Sequence, residues 1–232
     1  MPKLIFLLLL SLITITKPTE LPDSKRASNA RTALWPKLEK ELIDGGFDRN
    51  TRIYLRIIKQ VNALEVWAKK GIKYELFKRY EICYYSGGLG TKTKAGDGMS
   101  PEGFYTIDAG NLYPSSKYHL AINIGYPNKL EKAKGYTGDA IMVHGHCASI
   151  GCYAMTDPRI EEIYTLVYKA LQVGQQKISL DIFPFYMDDT HMQFFSHSPN
   201  ISFWKTMKPG YDLFEKKRVP PVVKVINKQY AF

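Results

Sequence analysis

The 232-residue sequence predicts a mostly β domain of the α+β class, flanked by short helices. Three observations carry that expectation. Apolar and polar residues alternate with period two in three successive segments joined by short links. Further short apolar runs resume after a glycine-rich break. Helical spacing of apolar residues is confined to a few stretches. Apolar content of 45% and aromatic content of 13% allow a packed core and exclude general disorder. The length suits one well-cored domain with small appendages.

The elements follow in order. Residues 1–22 begin with Lys3, run apolar from Leu4 to Ile15, then turn polar with Pro18 and Pro22. The run is short for a bilayer span and fits the apolar region of a signal peptide; an N-terminal anchor is the alternative. No A-x-A cleavage site is visible, and no cysteine follows the run to take a lipid. Either way the body of the chain is expected to be exported. Residues 23–49 hold one helix, with Leu34, Leu38, Leu42 and Ile43 at helical spacing and Gly45-Gly46 ending it.

Residues 50–185 carry the main domain. TRIYLRIIKQ sets Ile53, Leu55 and Ile57 against Arg52, Tyr54 and Arg56; ALEVWAK and YELFKRYEI repeat the alternation, giving an antiparallel meander. Residues 84–103 hold six glycines and one proline and read as a long functional or mobile loop. GFYTID (103–108), KYHLAINIG (117–125) and AIMVHG (140–145) read as strands, with polar NKLEKAKGYTGD (128–139) as a turn region. Asp157 as N-cap and Pro158 at the first helical position open a helix carrying Ile160, Ile163, Tyr164, Val167 and Leu171. KISLDIFPF (177–185) is a further strand. Residues 186–232 read as short helical pieces around Pro199 and Pro209, then an edge strand at PVVKVIN (221–227).

Net charge is +10, but the basic residues are scattered from Lys37 to Arg218. Nucleic-acid binders concentrate theirs in a stripe on a readable module. A solvated surface is therefore expected, with attraction to an anionic polymer as the alternative. Three cysteines is an odd number, so a monomer keeps at least one free thiol.

Residues 143–155, VHGHCASIGCYAM, crowd two of the five histidines and two of the three cysteines into thirteen positions. Three readings compete. His144, His146, Cys147 and Cys152 offer four metal ligands, but H-x-H-C-x4-C is not the two-knuckle spacing of structural zinc. A disulfide is allowed between Cys147 and Cys152, and equally between Cys83 and Cys147. The favoured reading is a nucleophile. Cys152 follows Gly151 and precedes a helix, where backbone N–H groups can face a developing oxyanion. His144 ends a strand eight residues earlier, and a nearby imidazole lowers a thiol pKa and yields the attacking thiolate.

These residues carry a resemblance. His144-Gly145 followed by Ser149-Ile150-Gly151-Cys152 resembles the signature of the L,D-transpeptidase catalytic domain (YkuD) family, an upstream HG and a downstream S-H-G-C. KAGDGMSPEGFYTI (94–107) resembles that family's GD-x-x-T-P-x-G-x-Y segment. Within the family, S-I-G-C-Y-A-M is similar to the murein transpeptidase-like branch. The resemblance spans roughly residues 50–185 and implies a β-sandwich-like catalytic domain acting on peptidoglycan stem peptides in a bacterial envelope.

By position it implies Cys152 as nucleophile and His144 as general base and acid. Gly145 would orient the imidazole, and N–H groups around Gly151 and Cys152 would form the oxyanion hole. Ser149 would brace the turn, and residues 86–103 would form a wall or lid. Tyr153 and Met155 read as core beside the site, and Asp157 as a cap. The chain departs from the pattern in three ways. The usual His before G-C is Ile150, with His146 as a stand-in. The Arg commonly two residues after the Cys is Ala154. The interval from His144 to Cys152 is shorter than in many members.

The implied chemistry is acyl transfer through a Cys152 thioester. The acceptor is an amine, on peptidoglycan or an envelope protein, for a transferase. It is water for an L,D-carboxypeptidase or an amidase that releases wall-linked protein. A non-catalytic envelope-binding module is the reading from another class. The chemistry needs no cofactor, and the sequence signals none.

Overall fold

The structure, a computed structural model, describes residues 20–232. The apolar run read as a signal peptide or anchor lies outside the described residues. Among the described residues no helix is long and apolar enough to cross a membrane.

The chain runs α1 (Lys25–Asp44), β1 (Ile53–Ile58), β2 (Ala63–Lys70), β3 (Lys73–Glu81), β4 (Gly103–Ile107), β5 (Leu112–Tyr113), β6 (Ala121–Asn123) and α2 (Lys129–Ala133). It continues with β7 (Met142–His144), β8 (Tyr153–Ala154), α3 (Asp157–Gln172), β9 (Ile178–Phe183), α4 (Asp189–Phe194), α5 (Ile201–Lys217), β10 (Lys224–Ile226) and β11 (Gln229–Ala231). This is the α+β arrangement expected. The β1–β2–β3 meander is antiparallel. Strand β9 joins it parallel to β1, and β4 pairs antiparallel with β9, giving the order β3-β2-β1-β9-β4. A second sheet runs β5-β6-β7-β8, and β10-β11 form a separate hairpin.

Period two assigns each face of the large sheet. Ile53, Leu55 and Ile57 share one core with Leu180, Ile182, Ile122, Val143, Tyr153 and the inner stripe of α3. Both sheets therefore meet in that core, with α1 laid along α3. The sequence shows polar residues on the other face of β1, yet β1 is buried along its whole length. The reason is α5. Arg56 pairs with Glu65 at 2.8 Å and with Glu215 of α5 at 2.5 Å, and its guanidinium stacks near Trp67 and Phe214. A second apolar cluster joins Ile58, Phe104, Phe183 and Phe185 to Trp204, Met207 and Tyr211 of α5.

Four local expectations change. The polar run 128–139 contains α2, held by a capping box: Asn128 Oδ1 accepts the Glu131 N–H at 3.0 Å, and the Glu131 carboxylate accepts the Asn128 N–H at 2.6 Å. Only Ala121–Asn123 of KYHLAINIG is strand, and Tyr118 and His119 lie in the preceding loop. Pro209 sits inside α5 rather than ending it. Beside it Gly210 leaves room for the Phe232 and Phe104 rings, which a Cβ would strike. Finally, Thr156 is the N-cap of α3 and Asp157 its first residue, so Asp157 is not the cap.

The glycine-rich loop is pinned. Lys59 and Glu102 are fully buried and paired at 3.0 Å. The Lys59 ammonium also donates to the carbonyls of Gly90 (2.8 Å) and Ser100 (3.0 Å). Glu102 accepts the Gly90 N–H and the Trp204 indole N–H, both at 2.7 Å. The loop is thus a wall tied to α5.

Candidate active site

Strands β7 and β8 are parallel, with Val143 opposite Tyr153 and His144 opposite Ala154. Val143 and Tyr153 point into the core. Side chains alternate along a strand, so His144 lies on the other face together with Ala154. Cys152 immediately precedes β8, and its sulfur accepts the N–H of Met142, the first residue of β7. The paired strands thus bring the sequence-nominated cysteine alongside the strand that ends in the nominated histidine.

The connection 145–152 is braced along its length. The Gly145 N–H donates to the Tyr118 carbonyl at 3.0 Å. A Cβ at Gly145 would run into the Asp157 carboxylate and the His119 side chain. His146 and Cys147 both have positive φ, 66° and 47°, which is strained for non-glycine residues. Hydrogen bonds from the His146 N–H to Asp157 Oδ1 (2.8 Å) and from the Cys147 N–H to the Met155 carbonyl (3.0 Å) hold the turn. Cys147 is bonded to Cys83 with Cα atoms 5.3 Å apart, and Cys152 is the free cysteine. The four-ligand grouping of His144, His146, Cys147 and Cys152 is therefore not available, and of the allowed disulfides the Cys83 pairing is the one formed.

Nearer the thiol, Ser149 Oγ donates to the Cys152 carbonyl at 2.9 Å. Gly151 has φ +99°, which only glycine adopts without strain, and its N–H donates to Ser86 Oγ at 2.7 Å. Tyr153 is fully buried and its hydroxyl donates to the Pro101 carbonyl at 2.6 Å, tying β8 to the glycine-rich wall. The N–H groups of Gly151, Ala154 and Met155 are thus taken, the last two by the carbonyls of Tyr84 and His144, which leaves the Cys152 N–H as the candidate for any oxyanion.

The imidazole of His144 is only 2% exposed. Its Nδ1 lies 2.6 Å from the Gly145 carbonyl. A carbonyl can only accept, so Nδ1 carries the hydrogen and Nε2 keeps a lone pair. Tyr118 stacks on the ring at 4.7 Å between centroids. Burial holds the His144 imidazole below its usual range, opposed by the Gly145 bond and reinforced by His146.

The sulfur of Cys152 accepts from the Met142 N–H at 3.4 Å and donates to the Ala140 carbonyl at 3.7 Å. Burial pushes the thiol up; the Met142 N–H, the Ser149 hydroxyl and the Lys92 charge oppose it. Both shifts favour the uncharged forms, thiol and imidazole, over the thiolate–imidazolium pair. No hydrogen bond joins Sγ to His144 among the described residues, as is common before substrate tightens a site.

Sequence reasoning missed three contributors. Tyr118 packs on His144 from a loop read as strand. Ser86 and Lys92 lie in the glycine-rich loop, where no spacing connects them to Cys152. Lys92 is buried, bound to Asp97 at 2.8 Å and to the Lys94 carbonyl at 2.9 Å. Burial would raise the Asp97 carboxyl, but Lys92 and the N–H groups of Lys94, Thr93 and Met99 hold it well below the usual range.

A fold with two mixed sheets, a parallel β7–β8 pair and the cysteine and histidine it brings together matches a known class. Residues 62–177 match the model of the L,D-transpeptidase catalytic domain, YkuD. Over 179 residues the chain is 47% identical to "Putative L,D-transpeptidase YafK" of Escherichia coli strain K12, covering 77% of this chain and 73% of that protein. Among solved structures it is similar to the helical cell shape determining protein Pgp2 of Campylobacter jejuni (19% identity, TM-score 0.46, 82% of this chain and 80% of that one). It is also similar to Bd1075 of Bdellovibrio bacteriovorus (20% identity, TM-score 0.42, 72% and 61%). The chain belongs to the L,D-transpeptidase catalytic domain family. That membership gives it a peptidoglycan-related role.

Proposed function

We propose that this chain is a cysteine-dependent acyltransferase of peptidoglycan stem peptides, working in the bacterial cell envelope. Cys152 is the nucleophile and His144 the general base and acid. One observation carries the reading: His144, its Nδ1 held by the Gly145 carbonyl so that Nε2 keeps a lone pair, ends the strand whose first residue, Met142, donates to the free thiol of Cys152.

The chemistry starts from the neutral pair. His144 Nε2 takes the thiol proton as the sulfur attacks the carbonyl that joins an L-centre to a D-centre. The C–S bond forms, and the oxyanion is met by the backbone N–H of Cys152. Collapse breaks the C–N bond while imidazolium returns its proton to the leaving amine. A thioester remains. An acceptor amine, or water, then attacks it with His144 again as base, and the thiol is regenerated. Starting neutral suits a buried site, since no isolated charge waits in a poorly solvated pocket. Gly145 and Tyr118 position the imidazole; Ser149 and Gly151 shape the turn before the sulfur. The +10 charge suits an anionic wall polymer.

The test is intact-mass detection of an acyl-enzyme with muropeptides or a carbapenem-type β-lactam. Wild type gains one adduct; Cys152→Ala gains none, and His144→Gln forms it roughly 100-fold more slowly or worse. Product analysis with and without an amine acceptor separates exchange from hydrolysis. Equal labelling of Cys152→Ala would refute the assignment.

A further inference from the structure

One histidine of the motif has no part in this chemistry. His146, the residue after Gly145, converges with His119 and Asp157, their donor atoms within 4.8 Å of one another. His146 Nε2 is 3.8 Å from Asp157 Oδ2, and His119 Nδ1 is 3.7 Å from the same oxygen.

The proton inventory makes this arrangement informative. His119 Nε2 lies 2.7 Å from Glu161 Oε1. A carboxylate only accepts, so Nε2 is the donor there and Nδ1 is the nitrogen left toward Asp157 Oδ2, 3.7 Å away. A cation at that point, a proton or a metal ion, joins the ring to the carboxylate. Asp157 Oδ1 is already occupied by the His146 N–H at 2.8 Å, which fixes Oδ2 toward the two rings. Ligands at about 2.0–2.1 Å from a tetrahedral ion stand about 3.4 Å apart, so the separations of 3.7 and 3.8 Å from Asp157 need small inward movements, and the two imidazole nitrogens, within 4.8 Å of each other, close by turning the half-exposed His146 ring. The Glu161–His119 bond is the carboxylate–histidine pairing that backs metal-ligating imidazoles. Its counterpart, a lone carboxylate pair at the surface, would show neither the two rings nor the backing bond.

We infer that His119, His146 and Asp157 form a site for a first-row divalent cation, with Glu161 orienting His119 and a fourth position open to solvent. Two imidazoles and one carboxylate suit zinc. The site joins the loop before β6, the 145–147 turn and the first turn of α3. Gly145 lies against it, and the Gly145 carbonyl is the group that fixes His144 Nδ1–H. An ion here would clamp the turn that positions His144, so this is a structural, positioning site and not a participant in acyl transfer. The inference does not depend on the function proposed above.

Zinc itself is the probe, with the full chain carrying Cys152→Ser so that the free thiol cannot bind it. Calorimetric titration should show one ion per chain, a zinc-dependent rise in melting temperature, and the absorption of tetrahedral cobalt on substitution with Co²⁺. His146 is half exposed at positive φ, so His146→Asn keeps the turn and should weaken binding about 100-fold; Glu161→Gln should weaken it about 10–100-fold. Asp157→Asn serves as a second ligand variant should His146→Asn alter folding, which circular dichroism reports. Absence of zinc binding at 100-fold excess, or binding unchanged in both ligand variants, overturns the site: a proton, or nothing, then sits between His119 and Asp157.

Discussion

The Cys83–Cys147 bond offers the most quantitative test of how the site is held. It joins the residue just past β3 to the turn that carries His146, across 64 residues of sequence. In the chain-entropy treatment, closing a loop of that size removes about 4 kcal/mol of unfolded-state freedom at 25 °C. A chain of this length unfolds with an entropy of about 0.5 kcal/mol/K, so losing the bond should lower the melting temperature by about 9 °C. The perturbation is Cys83→Ser with Cys147→Ser together, in a Cys152→Ala background. A single replacement would leave one unpaired thiol able to cross-link two chains. Far-UV circular dichroism of oxidised protein gives the shift, and reductant added to the parent should reproduce it. A non-reducing peptide map should recover the 83–147 pair, and in protein that keeps Cys152 one reactive thiol. A double variant melting within about 2 °C of its parent, with the map positive, would refute the argument that this link constrains the fold.

Three other outcomes follow. Burial pushes the Asp181 carboxyl up to about 7 against the opposing Tyr54 hydrogen bond and Arg56 charge. Stability from this group is therefore full below about pH 4 and is lost as pH rises through 7, by up to about 4 kcal/mol. Asp181→Asn should be more stable than wild type at pH 8 and closer to it at pH 5 by urea titration, and a wild type with no such difference sinks the claim. Lys59→Met leaves Glu102 buried without its ammonium and should cost about 3–5 kcal/mol. Faster amide exchange across residues 86–102 and partial recovery on adding Glu102→Gln are the checks; unchanged exchange contradicts the pinned wall. Gly151→Ala, at φ +99°, should cost roughly 1–3 kcal/mol and slow acyl-enzyme formation far more than it lowers the melting temperature.

The strand meander was legible because period two survives in short segments, and α3 because its apolar stripe and Asp-Pro start are local signals. The capping box of α2 is also local, but a five-residue helix has no room for a period, so only the Asn128/Glu131 spacing betrays it. Helix α5 runs through Pro209, which a breaker rule reads as an end. At the site, Cys152 and His144 stood out by composition. The pairing of Cys83 was one of two allowed choices, because proximity across 64 residues comes from the bridge of Cys83 and Tyr84 to Ala154 and not from spacing. The same holds for Tyr118 over His144 and for Ser86 beneath Gly151: each is a contact between loops that no periodicity links.

The segment 186–232 shows how far such long-range ties reach. Read from sequence it is an appendage after the last central strand. In the fold, Trp204 of α5 donates to Glu102, Glu102 holds Lys59, and Lys59 holds the carbonyls of Gly90 and Ser100. Tyr153, next to the proposed nucleophile, donates to Pro101 in the same stretch. A buried ion pair is only worth keeping where its polar partners are all satisfied, and here those partners are the wall of the candidate site. The C-terminal helix thus fixes the loop that faces Cys152. Removing it should loosen that loop before it melts the sheets, because the core shared by the two sheets, α1 and α3 contains no residue of α5.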